Sequence, residues 1–337
     1  MQSLLDPAIL FFVFGVLAGA VKSNLEIPQP ISKFLSLYLL MALGLKGGFA
    51  LAQTPFDAQL FASLGAALVM AFVVPALGYQ VLKRHVAGFD AAATAAAYGS
   101  VSAVTFVTAI QVLETQGITA PGHMTVAMVL MESPAIVMAV LLASLLRARG
   151  ATSTVGRAGG AGAAGTAPSP APAPVQLRSV LHEAFTDGTH LLLLGALAVG
   201  FISGEAGKAM MQPFTGDLFK GLLAFFLLDM GLLVARNFAT ARRQSPVLIG
   251  YAVLAPLVHA ALALGLAVLL SLPVADTALL MVLSASASYI VVPAVLRHAI
   301  PEANPSLYFG LSLGITFPLN ILVGIPLYLQ VAQWVRG

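Results

Sequence analysis

The chain has 337 residues, of which 59% are hydrophobic and 9% charged, and its mean hydropathy is +0.95. Soluble domains carry about a quarter charged residues, so this composition excludes one and defines an integral membrane protein. The absence of cysteine excludes disulfides and thiolate chemistry, and a formal net charge of +3, with the basic residues in loops, requires no nucleic-acid partner.

Ten apolar segments are expected in chain order, at 5–22, 31–50, 58–83, 90–115, 121–147, 179–203, 216–236, 245–271, 275–299 and 305–334. Most reach the roughly 20 residues needed to cross the hydrocarbon core. The first has no basic residue ahead of it, only Asp6, so it reads as a retained helix and not as a signal peptide. The first and sixth carry Gly15, Gly19, Gly195 and Gly200, which would let helices pack closely. The second and seventh share a Gly-Leu pair, at Gly44-Leu45 and Gly231-Leu232, and the third and eighth each hold a proline, Pro75 and Pro256.

Five helices therefore repeat once, and an odd number per repeat inserts the second copy upside down. The expected fold is all-α: ten transmembrane helices as two inverted five-helix repeats, residues 1–149 and 178–337. The stretch 150–177 between them is nearly all Gly, Ala, Ser, Thr and Pro and is expected to be a disordered linker. With the N-terminus outside, only Lys46, Lys208, Lys220 and Arg336 fall on the outer side. The remaining Lys and Arg are cytoplasmic, as the positive-inside rule requires. This places both termini outside a plasma membrane and the linker in the cytoplasm.

The fourth and ninth segments are expected to break near the midplane. The fourth reads Gly99-Ser100-Val101-Ser102-Ala103-Val104-Thr105, and the ninth Ser284-Ala285-Ser286-Ala287-Ser288-Tyr289 ahead of Pro293. Ser102 and Ser286, Pro121 and Pro305, and Pro134 and Pro318 are each separated by 184 residues. Glycine permits a non-helical backbone, and hydroxyls satisfy the groups that a break frees. The serines at alternate positions in the ninth segment suit an extended strand. One such segment would merely let helices pack closely; two at matched positions point to a solute site.

Half-helix N-termini meeting there favour an anion. The expected anion set is Gly99, Ser100, Ser102, Ala103, Ser286, Ser288 and Tyr289. Carbonyls, hydroxyls and a carboxylate offer hard oxygen ligands to a cation. The expected cation set is Ser102, Thr105, Glu132, Ser284, Ser286 and Thr316, with sodium as the ion.

Glu132 is a carboxylate inside the membrane and a cation or proton carrier by that fact, and Pro134 frees a carbonyl one turn back. Asp229 is read as a packing or ion-binding group, His259 as a hydrogen-bonding strut, and Lys46 as a side chain that snorkels to the interface. No H-E-x-x-H, G-x-S-x-G or Walker loop is present. The chain is therefore read as a secondary transporter and not an enzyme.

At these residues the chain resembles the sodium-dependent bicarbonate transporter family. The likeness rests on Gly44-Leu45-Lys46-Gly47-Gly48, Gly99 to Thr105, Ala255 to His259, and Leu296 to Ser306. It implies a gate of helices one, two, six and seven, and a core of the other six that moves like an elevator. It also implies a homotrimer surrounded by lipid, sodium and bicarbonate at the two breaks, and a PII-like regulatory protein on the cytoplasmic side. Glu132 stands where the family has an aspartate. Three positions depart from it: Ala287 in the serine run, Tyr289 in place of an acid, and Val292-Pro293-Ala294 in place of Gly-Pro. The alternatives are a symporter for another small carboxylate, a proton-coupled anion carrier, or a ligand-binding sensor without transport.

Overall fold

A computed structural model describes residues 5–155 and 188–336 of the chain. The molecule is all-helical, 84% helix, with no strand among the described residues. Among the described residues, seven helical stretches are long and apolar enough to cross a membrane, and two shorter apolar helices accompany them.

The elements follow the punctuation of the sequence. Asp6 caps α1 (Pro7–Ala20) by accepting the Ala8 N–H at 2.8 Å. Helices α2 (Gln29–Gln53) and α3 (Ala58–Leu82) follow, the latter capped by Asp57 on Gln59 and Leu60. The fourth expected segment divides into α4 (Gly88–Gly99) and α5 (Ala103–Thr115), and α6 runs from His123 to Val155. Helix thus continues past Gly150, where the linker was expected to begin; the linker from residue 156 onward lies outside the described residues.

In the second half, α7 (Gly188–Gln212) is interrupted at Gly204, whose φ of 54° and ψ of −140° only glycine adopts readily. A π turn at Pro213–Asp217 leads into α8 (Leu218–Arg242). The apolar stretch Leu191–Arg242 has 52 residues. At 1.5 Å per residue it would measure about 78 Å, over twice the roughly 30 Å hydrocarbon core, so it is too long for one straight crossing, and it is interrupted at Gly204. Then come α9 (Pro246–Leu269), α10 (Val274–Ala285) and α11 (Val291–Ala299), the last two being the divided ninth segment. The final helix, α12 (Pro305–Arg336), widens into π turns at Ser312–Thr316 and Asn320–Gly324 on either side of Pro318. A proline within a helix lacks an N–H and crowds the preceding turn, which such widening relieves.

Two packing groups result. Helix α2 lies along α7, and α1 along α8. Glycines make both contacts possible: a Cβ on Gly48 would sit 2.2 Å from the Leu197 carbonyl, and one on Gly231 would sit 2.2 Å from that of Phe12. Gly15 and Gly200 serve the same contacts from the opposite helices, whereas Gly195 has nothing within 4 Å and takes no part in them. In the second group, α3 packs on α4 and α6, α9 on α10, and α10 on α12.

Candidate functional site

Both breaks occur where the sequence placed them, and they touch. Ser100 and Ser102 are extended, with φ/ψ of −92°/179° and −104°/109°. Ser286 is likewise extended at −80°/164°. The Ser102 N–H donates to Ser286 Oγ at 2.9 Å, and the Ser288 N–H donates to the Ala97 carbonyl at 2.7 Å. Ser286 Oγ in turn donates to the Leu283 carbonyl at 2.8 Å. Ser284 differs from its expected extended state: α10 continues through Ala285, so this serine is helical. Alternating serines fit a strand, but the helix loses nothing by carrying buried hydroxyls until its backbone bonds run out.

Ser102 is the N-cap of α5. Its Oγ accepts from the Thr105 N–H at 3.2 Å and from Thr105 Oγ1 at 3.0 Å. The N–H groups of Ala103 and Val104 have no hydrogen-bond partner among the described residues. Both residues face a cavity of about 90 Å³. Ser102, Ser288, Tyr289 and Glu132 line it too, with Leu39 and Leu40 of α2, Leu193 of α7 and Phe226 of α8 forming its apolar wall. The cavity therefore lies between the two packing groups. Glu132 is buried and lines the cavity together with the first residues of α5.

Of the expected site residues, the fold thus brings Ser102, Ala103, Glu132, Ser288 and Tyr289 to one cavity. Thr105 and Ser286 stand directly behind it, bonded to Ser102. Gly99, Ser100 and Ser284 lie in the ends of α4 and α10. Thr316 lies further off, donating to the Ala252 carbonyl at 2.8 Å and paired with the Tyr98 hydroxyl at 2.6 Å.

Tyr289 occupies the junction. Its ring packs edge-on against Phe317 at 5.1 Å, and its hydroxyl reaches Met230 Sδ at 3.8 Å. Asp229 lies on α8 within the first packing group, away from the cavity lining. Lys46 is paired with Glu114 at 2.6 Å and does not snorkel alone.

Sequence reasoning overlooked two polar clusters. In one, Asp276 Oδ1 accepts from Ser63 Oγ at 2.6 Å and meets His123 Nε2 at 2.5 Å. In the other, Asn320 donates to the Ala285 carbonyl at 2.8 Å while the Tyr328 hydroxyl donates to its Oδ1 at 3.2 Å. Only their buried polar character in apolar helices could have flagged them.

Touching helix breaks beside a small, largely apolar cavity are an arrangement in which membrane transporters hold a small solute. Residues 7–333 match the family model of the Na+-dependent bicarbonate transporter superfamily. The chain belongs to that superfamily. None of the curated proteins compared with it matches.

Proposed function

We propose that the chain couples sodium entry to the uptake of bicarbonate. The observation that carries this reading is the α5 N-terminus, where Ala103 and Val104, whose N–H groups have no partner among the described residues, line the same 90 Å³ cavity as Glu132. The N–H groups of Ala103 and Val104, with the hydroxyls of Ser288 and Tyr289, suit a small oxyanion. Glu132 and the oxygens of Ser102 and Thr105 suit a hard cation. Opposite charges a few ångströms apart in a low-dielectric site lower each other's cost of entry, so each ion favours binding of the other.

The broader frame belongs to the same proposal: ten crossings as two inverted repeats, both termini outside the plasma membrane and the linker in the cytoplasm. The α1, α2, α7 and α8 group is the gate, and the remaining helices are a core that moves as an elevator. The match of packing partners, α1 with α8 and α2 with α7, supports it. A trimer and a PII-like cytoplasmic regulator rest on family membership.

The test is uptake of labelled bicarbonate into proteoliposomes with and without an inward sodium gradient. Faster uptake with the gradient is expected; equal uptake refutes the coupling. Competition by formate, acetate or pyruvate stronger than that of unlabelled bicarbonate would identify another small carboxylate as substrate. Uptake driven equally by a proton gradient would make the coupling ion a proton.

A further inference from the structure

A second cavity, of about 350 Å³, lies on the same boundary between the packing groups as the break cavity. Leu39 and Leu40 of α2 and Val107 of α5 wall the break cavity, whereas Leu43 and Ile110 wall the larger one. Three residues rise about 4.5 Å along a helix, so less than one turn of each helix separates the two spaces. The larger cavity is lined by α2, α7 and α8 on one side and by α5 and α6 on the other.

The two sides carry different charges. The α2, α7 and α8 side supplies Lys46, Lys208, Lys220 and one acid, Asp217, and the other side supplies Glu114 alone. Lys208 is paired with Glu205 at 3.3 Å, whereas Lys220 and Asp217 have no ion-pair partner among the described residues. Glu114 reaches across the boundary to Lys46 at 2.6 Å. The Lys46 ammonium also stands 4.6 Å from the centre of the Phe219 ring of α8, whose electron-rich face attracts a cation. Phe219 belongs to the same side as Lys46, so it holds the ammonium in place independently of Glu114. Withdrawal of Glu114 then leaves two ammoniums, Lys46 and Lys220, against the one carboxylate of Asp217, in a cavity with room for a ligand.

We propose that this cavity receives a small oxyanion, and that Lys46 exchanges the Glu114 carboxylate for it. This rests on the transport reading above and adds an anion site outside the helix breaks. Bicarbonate and small carboxylates present the same planar pair of oxygens and the same single charge as a glutamate side chain, so an ammonium that pairs with Glu114 also suits them. Arrival of the anion and release of Glu114 are one event. The ligand therefore undoes an attachment between the two groups at the moment when it is available to be carried.

The chain has no cysteine, so one introduced thiol reports on the cavity alone. Ala50→Cys places it in the cavity wall one turn from Lys46, and Thr119, also in the wall, offers a second position should that variant not fold. The probe is the reaction rate of the thiol, in the purified full-length protein, with the anionic reagent sulfonatoethyl methanethiosulfonate. Bicarbonate should slow this reaction more than chloride does at equal ionic strength. Glu114→Gln frees Lys46 and should lower the bicarbonate concentration for half-protection by about threefold to tenfold, the effect of one unit charge a few ångströms away in screened water. Lys46→Gln should abolish the protection. Equal protection by chloride and bicarbonate, or no gain in Glu114→Gln, overturns the inference, and neither result needs a variant of Lys46 that folds. Protection without sodium-driven uptake would refute the proposed function and leave this site standing; sodium-driven uptake without protection would do the reverse.

Discussion

Replacing Ser102 by alanine separates a structural role from a ligand role at one atom. The Ser102 hydroxyl caps α5 through the Thr105 N–H and accepts from Thr105 Oγ1. Loss of an N-cap oxygen costs about 1 kcal/mol, and leaving the buried Thr105 hydroxyl without its acceptor adds about 1 kcal/mol more. The crossing bond to Ser286 survives, because the Ser102 backbone N–H donates it. Ser102→Ala should therefore melt as a protein destabilised by about 2 kcal/mol with its break intact. Ser102→Gly is the discriminating variant, since glycine caps within a few tenths of a kcal/mol of serine. If the hydroxyl is also an ion ligand, both variants raise the sodium and bicarbonate concentrations for half-maximal uptake by about tenfold, the loss of one hydrogen bond to a charged group. Initial rates of labelled bicarbonate uptake over a sodium series measure this. Near-wild-type uptake by Ser102→Gly would show that the hydroxyl only caps the helix.

Tyr289→Phe keeps the edge-on contact with Phe317 and removes the hydroxyl from the cavity lining and from Met230. It should weaken bicarbonate competition by about threefold to tenfold, the worth of one neutral hydrogen bond, with sodium binding unchanged. Gly48→Ala forces a Cβ to within 2.2 Å of the Leu197 carbonyl and should destabilise by about 1–3 kcal/mol. Gly195→Ala, with nothing within 4 Å, should gain about 0.5–1 kcal/mol from helix propensity, and melting curves distinguish the two. Glu302, bonded to Arg147 at 2.7 Å, is held below the usual carboxylate range first by that hydrogen bond. Its contribution is thus present above the ordinary carboxylate pKa and lost as pH falls through the depressed one. Glu302→Gln should melt lower than wild type at neutral pH, by no more than about 1 kcal/mol for so exposed a pair, and the gap should close on acidification.

Glycine, proline and serine made the two breaks legible, because they act on the backbone of the residue that carries them. The crossing at Ser102 and Ser286, and Glu132 beside it, followed from the matched spacing and from the expense of a buried acid. Residues whose partners are remote in sequence were illegible. Asn320 meets Ala285 across 35 residues and His123 meets Asp276 across 153, and nothing in either local pattern names the other. Lys46 looked like an interfacial anchor because Glu114 lies on a different helix. Ser284 was read as extended because a serine alternation has the period of a strand, whereas α10 bonds through it.

The proposed elevator movement would require each packing group to hold together while the contacts between the groups break in every cycle. Within the gate group, α2 meets α7 and α1 meets α8 backbone to backbone at Gly48, Gly200, Gly15 and Gly231, so these pairs cannot slide without lifting apart. Between the groups the attachments are of another kind. Lys46 and Glu114 form a partly exposed ion pair, worth about 1 kcal/mol or less. Tyr289 reaches Met230 through a long oxygen–sulfur contact. Gly122, at the start of α6, presents no side chain to α2, though a Cβ there would meet the Gly47 carbonyl at 2.3 Å. At Gly122 the contact is backbone to backbone, and close by the Thr125 side chain seats against Gly47, so parting the surfaces there withdraws one small side chain. The break cavity lies on this same boundary, walled by Leu39, Leu193 and Phe226 on the gate side. Beside that wall the gate side offers the hydroxyls of Ser36 and Thr189, whereas Ser102, Glu132, Ser288 and Tyr289 come from the other group, so an anion and cation bound together would keep most of their polar contacts by moving with it.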